Sequence, residues 1–163
     1  MNSDAPSSTP PKTVDVLGER IGYLFAQLHL RWGAEAHAAL SEAGLGLGGM
    51  HFGALTVIDA TGPISQQELG EYVKKDRTTI VALVDDLEEE GLVERRRNPA
   101  DRRAYALELT DEGRAWLAQA GPILMGAEDR LLTELDDDER ARLLDLLQRI
   151  LFSPGDGRPA RAD

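Results

Sequence analysis

Five arginines fall within ten residues, in Glu94-Arg95-Arg96-Arg97-Asn98-Pro99-Ala100-Asp101-Arg102-Arg103. The guanidinium is a permanently charged planar fork of donors, suited to phosphate oxygens and to the O6/N7 edge of guanine. Asn98-Pro99 is a turn signal at the centre. Strand-like runs flank it, Leu92-Val93 before and Tyr105 to Leu109 after. A tight basic hairpin of this kind is aimed at a polyanion. The rest of the chain works against that aim. Its net charge is −11, whereas residues 92–105 carry a local balance of +3. Acidic residues concentrate in Asp85-Asp86, Glu88-Glu89-Glu90 and Asp136-Asp137-Asp138-Glu139. Attraction to a polyanion must therefore come from one face, with a repelling rear. Charge runs also arise as plain solvated surface, and arginines on a hairpin can simply protect its edges.

A second group precedes the hairpin: Lys75, Arg77, Thr78, Thr79 and, one turn further on, Ala82. If these open a helix, its first turns offer a forked cation, two hydroxyls and a small residue that permits close approach. Arg77 could equally be an ordinary surface residue.

The elements that must position these groups read mainly as helices. The 163 residues suit one domain, 13–152, between Ser-, Pro- and Gly-rich tails at 1–12 and 153–163 that read as disordered. Apolar residues recur near a 3.6 period from Leu17 through Trp32 to Leu40, which predicts α1 over 14–43. Four glycines between Gly44 and Gly49 break it, and α2 is expected over 49–60. Ser65-Gln66-Gln67-Glu68 is a capping box that opens a short α3 ending near Val73. Asp76 can cap α4 over 77–90, and Gly91 stops it. Thr110 caps α5 over 111–134, with a kink expected at Gly121-Pro122. Asp136-x-x-Glu139 opens the apolar α6. The order α1-α2-α3-α4-β-β-α5-α6 is a winged helix-turn-helix, mainly α, wrapped by long terminal helices.

Other chemistries are poorly supplied. The absence of cysteine removes disulfides, thiolate metal sites, cysteine nucleophiles and thiol redox sensing. His29, His37 and His51 have no metal-ligand spacing, so neither metal nor cofactor is expected. There is no P-loop, nucleophile elbow, dinucleotide fingerprint or clustered catalytic pair, which argues against an enzyme. No apolar run approaches a membrane span and the first residues lack signal-peptide character, so a cytoplasmic protein with no membrane partner is expected.

Several segments in sequence, Asp76-Arg77-Thr78-Thr79, then Leu83 through Val93, then Asp101-Arg102-Arg103, then Thr110-Asp111-Glu112-Gly113, resemble the MarR family of bacterial transcription regulators over roughly residues 14–152. The resemblance implies a homodimer whose helices at 13–47 and 111–152 interlock. It also implies a DNA-binding lobe at 48–110 that lays α4 in a major groove. Arg103 matches the family's minor-groove wing arginine. Asp101 is expected to orient the wing arginines, with Arg95 as its partner across the hairpin. The partner it implies is duplex DNA carrying an inverted repeat, and the role it implies is that of a repressor.

Read physically, Ser65 and Gln66 start α3, where amides and a hydroxyl can hold a phosphate. Arg96, Arg97 and Arg102 suit phosphate contact or solvation better than base reading. MarR-like proteins are often released from DNA by small aromatic or anionic effectors. The candidates here are His29 and Trp32 on one face of α1, with Met50, His51 and Leu55 on α2. Each has an alternative: Trp32 as core or interface, His51 as a satisfied, partly buried histidine. The competing class is a winged-helix protein-interaction module without DNA binding, which the overall charge favours and the wing arginines oppose.

Overall fold

The computed structural model describes residues 17–97 and 105–152. The proposed tails and the hairpin tip, with Asp101, Arg102 and Arg103, lie outside the described residues. The described residues form, in the expected order, α1 Ile21–Glu42, α2 Gly49–Thr61, α3 Gln66–Val73, α4 Arg77–Glu89, β1 Val93–Arg97, β2 Tyr105–Leu109, α5 Asp111–Leu131 and α6 Asp137–Phe152. The chain divides into two compact units, residues 1–128 and 129–163.

Local chemistry sets most of the boundaries in the first unit. The Ser65 hydroxyl accepts from the Glu68 amide at 3.2 Å, and Glu68 accepts from the Ser65 amide at 2.9 Å, the reciprocal pair of a capping box. Asp76 caps α4 by accepting from the Thr78 and Thr79 amides at 3.0 and 3.1 Å. At the other end of α4, the Leu92 amide reaches back to the Leu87 carbonyl and the Gly91 amide to that of Glu88. Gly91 has φ +69, so this is a Schellman stop that needs a residue free of a Cβ penalty. Lys74 takes the left-handed conformation, φ 55, and so turns the chain between α3 and α4 within three residues.

β1 and β2 pair antiparallel with Val93 opposite Leu109 and Arg97 opposite Tyr105. The ladder therefore carries Arg95, Arg96 and Arg97 on the strand itself, beyond the Leu92-Val93 run read from sequence. Ile64 and Leu107 exchange both backbone bonds, at 3.2 and 2.7 Å, which ties the wing to the turn before α3. Thr110 closes the wing's base: its hydroxyl donates to the Gly91 carbonyl at 2.7 Å and accepts from the Gly113 amide at 3.0 Å. A Cβ on Gly113 would stand 2.1 Å from the Leu92 carbonyl oxygen, so only glycine lets α5 start this close. Leu40, Leu55, Ile58, Leu69, Ile80, Leu87 and Leu107 fill the core beneath the helix-turn-helix.

Two expectations are corrected here. α1 begins at Ile21, because Arg20 is extended and separates it from the helical residues Leu17 and Gly18; residues 14–16 lie outside the described residues. α5 ends at Leu131 rather than 134, with Gly121 and Pro122 inside the one helix. Ala120, Leu124 and Ala127 are buried on both sides of the proline, so packing holds the helix where one backbone bond is forfeited.

In the second unit Asp136 and Glu139 form the expected reciprocal cap, at 2.9 and 3.0 Å. Arg140 donates to the Asp129 carboxylate at 2.7 Å and to the carbonyls of Leu132 and Leu135. α6 buries none of its residues.

Candidate nucleic-acid interface

α4 turns Ile80, Leu83, Val84 and Leu87 inward. The 3.6-residue period then sends Arg77, Thr78, Val81, Ala82 and Asp85 outward, and all five are exposed. Lys75 is exposed in the turn just before them. Thr79 is different: it is half-buried, and its hydroxyl donates to Asp76 at 2.7 Å. That bond does most to hold the Asp76 carboxyl below its ordinary value, with the capping amides adding to it. Thr79 is therefore a framework residue of the cap, while Arg77 and Thr78 keep their polar groups outward.

The same distinction divides the start of α3. The Ser65 hydroxyl donates to Glu68 at 2.7 Å and is occupied by the capping box. This bond, with that from the Ser65 amide, holds the Glu68 carboxyl below the usual range. Gln66 is half-buried, and its side-chain nitrogen is buried without a hydrogen-bond partner among the described residues. It lines a cavity of about 350 Å³ with Arg95, Tyr105 and Leu107 at the base of the wing.

The three described wing arginines have separate partners. Arg95 donates to Asp85 at 2.9 Å and stands 3.1 Å from Glu88, both on α4. Its proposed pairing with Asp101 lies outside the described residues. Arg96 pairs with Glu94 on its own strand and with Glu108 across the ladder. Glu94, then Glu108, pushes the Arg96 guanidinium further toward its charged form. Arg97 is exposed and has no acidic partner among the described residues. The acidic run of α4 thus has a constructive part that the sequence reading treated only as repulsion. Sequence reasoning also passed over Val81 and Tyr105. Val81 is exposed on the outward face of α4 and Tyr105 at the wing base, and the four-residue spacing of Val81 from Arg77 was the available signal.

The effector candidates have mixed surroundings. His29 and Met50 are exposed, Trp32 is half-buried against the core, and Leu55 is fully buried. His51 has both ring nitrogens engaged: Nδ1 accepts from the Gly48 amide at 3.2 Å and Nε2 lies 3.3 Å from Asp86. None of the five lines the cavity at the wing base or the one beside Ile58, Pro63 and Arg114.

The arrangement is matched among known proteins. The MarR family profile matches residues 45–104. A transcriptional regulatory protein assigned to the hcr operon of Thauera aromatica is 37% identical over 99 residues, which span 61% of this chain and 60% of that protein. The HTH-type transcriptional repressor NicR of Pseudomonas putida is 30% identical over 154 residues, 93% of this chain and 92% of its own. Among solved structures, the transcriptional repressor CouR bound to a 23-mer DNA duplex superimposes with a TM-score of 0.78 at 35% identity, covering 88% of this chain and 99% of CouR. CouR has also been solved bound to p-coumaroyl-CoA, and that structure gives a TM-score of 0.74 at 33% identity over 84% of this chain and 95% of CouR. No helix among the described residues is long and apolar enough to cross a membrane. Identity sustained over nearly the whole length of a repressor, together with the capped helix-turn-helix and the wing locked to it, means that the chain belongs to the MarR family of winged helix-turn-helix transcriptional regulators.

Proposed function

We propose that the protein is a homodimeric repressor of an inverted-repeat operator. The observation that carries this reading is the outward face of α4, where Arg77 and Thr78 are exposed beside a wing anchored to the same helix by Arg95. In this reading α4 lies in the major groove and Arg77 forks onto a guanine edge. Lys75, Arg97 and Arg102 neutralise phosphates, and Arg103 enters the minor groove, where a narrow A·T-rich stretch strengthens the negative potential. Ser65 supplies a phosphate contact only if DNA displaces its bond to Glu68, so Gln66 is the better polar contact at the start of α3. The segment 48–110 is the DNA-binding lobe, and the segments 13–47 and 111–152 form the dimer. Half-sites one helical turn apart, about 10 base pairs, follow from a two-fold axis. The site of action is the cytoplasm.

CouR's complex with p-coumaroyl-CoA supports a small aromatic or anionic effector for this chain too. His29, Trp32 and Met50 are the accessible candidates, whereas His51 and Leu55 serve the fold.

The test is an anisotropy titration of the full chain against duplexes selected from a randomised library, repeated at several salt concentrations. Affinity that falls steeply with salt and a two-fold symmetric footprint are expected. Absence of binding at low salt would favour a protein-interaction module instead.

A further inference from the structure

The outward face of α4 has a sharp chemical order. Arg77 and Thr78 stand at its start, Val81 and Ala82 one turn on, and Asp85 a turn beyond. Asp85 is occupied by Arg95, and the Thr79 hydroxyl by Asp76. Between the donors at one end and the occupied carboxylate at the other, this face offers only methyl groups. Val81 is 39% exposed, while its neighbours Ile80 and Val84 are buried. Core packing does not require an apolar residue there. Helix formation does not favour one either, since β-branched residues lose rotamer freedom in a helix. Single exposed valines are ordinary on protein surfaces. This one differs in position: it sits beside Ala82 and three and four residues from Thr78 and Arg77, the spacing that places them on one face.

We infer that Val81, with Ala82 beside it, reads the methyl group of a thymine in the major groove. The inference rests on the operator reading proposed above. Base edges in that groove present donors, acceptors and one apolar group, the thymine C5 methyl. Valine and alanine form no side-chain hydrogen bond. Against adenine, guanine or cytosine they would strip water from polar atoms and return nothing. Against thymine the same contact buries methyl on methyl. The cations at Lys75 and Arg77 bring the face to the duplex, so the apolar pair arrives without needing affinity of its own. Four residues of helix rise by about 6 Å, against about 3.4 Å per base step, so the thymine lies within about two base pairs of the base under Arg77.

The experiment takes the duplex selected by the full chain and replaces each thymine in turn with deoxyuridine. Deoxyuridine keeps the pairing and the O4 acceptor and lacks only the methyl. One position in each half-site is expected to lose about four-fold in affinity, the change expected for one buried methyl-sized group. Val81→Ala, which removes both γ-methyls, should sharply reduce the difference between thymine and deoxyuridine at that position alone and leave the salt dependence intact. Val81→Thr, which keeps one methyl, should retain part of it. Uniform tolerance of deoxyuridine by the wild-type chain overturns the inference, as does a Val81→Ala variant that discriminates as well as wild type. In either case steep salt dependence would leave the operator reading standing. A chain that binds no duplex would sink both.

Discussion

Arg95 of β1 donates to Asp85 of α4 at 2.9 Å, and its other terminal nitrogen stands 3.1 Å from Glu88, one turn along the same helix. One guanidinium thus clamps two carboxylates that, in the proposed complex, would otherwise repel DNA phosphates. The wing and the recognition helix are held in one orientation, and the local repulsion is lowered.

Replacing Arg95 with alanine separates these effects from global stability. Arg95 is 36% and Asp85 57% exposed, so solvent screens the pair and its worth to folding is only about 0.2–1 kcal/mol. DNA binding should suffer more, by roughly 1–3 kcal/mol, because the variant loses a cation and frees two anions. Urea denaturation and anisotropy titration at fixed salt give the two numbers. An unchanged affinity would show that the clamp has no role in binding.

The helix caps predict an acid limb. Hydrogen bonds depress the carboxyls of Asp76 and Glu68 in the folded state, from ordinary values of 3.8 and 4.5, through the hydroxyls of Thr79 and Ser65 first. A depressed folded value means that the stabilisation is fully present above the unfolded value and is lost as pH falls through the folded one. Stability should therefore decline as pH drops below about 4.5, Glu68 first and Asp76 after it. Asp76→Asn still accepts from the amides but does not titrate, so its denaturation midpoint should vary less at the acid end. Superimposable pH profiles for wild type and variant would contradict this.

His51 offers a test between a framework role and an effector role. Its Nδ1 accepts from the Gly48 amide, which places the ring proton on Nε2, toward Asp86. His51→Ala removes a cap of α2 and its link to α4, and should lower stability by about 1 kcal/mol with no effector present. His29→Ala, at an exposed position, should leave stability unchanged. Thermal unfolding of the two variants in plain buffer decides it, and equal midpoints would remove the framework role.

What could be read from sequence was what is local. Ser65, Asp76, Gly91 and Asp136 each act on groups a few residues away, as Thr110 does on the Gly113 amide, so spacing alone exposed them; the bond of Thr110 to Gly91, nineteen residues back, was not visible that way. Arg95's partners were hidden because they lie seven and ten residues back, across the turn that joins α4 to the wing. The reach of β1 to Arg97 was hidden too, since a run of three arginines has no strand signature without the facing Leu107, Ala106 and Tyr105. Whether a polar group is uncommitted was equally out of view. From sequence Ser65 and Thr79 read as candidate DNA contacts, and the atomic geometry adds that their hydroxyls also donate to Glu68 and Asp76.

The terminal helices make the last prediction. In the second unit, α6 buries nothing, and Leu144, Ile150 and Leu151 are each more than half exposed. In the first unit, Ile21 is 68% exposed, and Leu24 and Phe25 beside it on α1 are also exposed. α6 has no buried face in one chain, and α1 buries only Ala36, Ala39 and Leu40 toward its C-terminal end, so the exposed apolar residues of both are left uncovered, where burying a large apolar side chain is worth about 1.5–3 kcal/mol. In the proposed dimer a second copy would supply the missing cover and the two-fold axis that an inverted repeat demands. Light scattering should give twice the chain mass for the wild type. Ile150→Asp places a charge where apolar contact is required and should shift the protein toward monomer as it is diluted. Because each monomer then meets only one half-site, its affinity for the full operator should fall far more than its secondary structure changes. A monomeric wild type, or a variant that stays dimeric and binds normally, would refute the proposed interface.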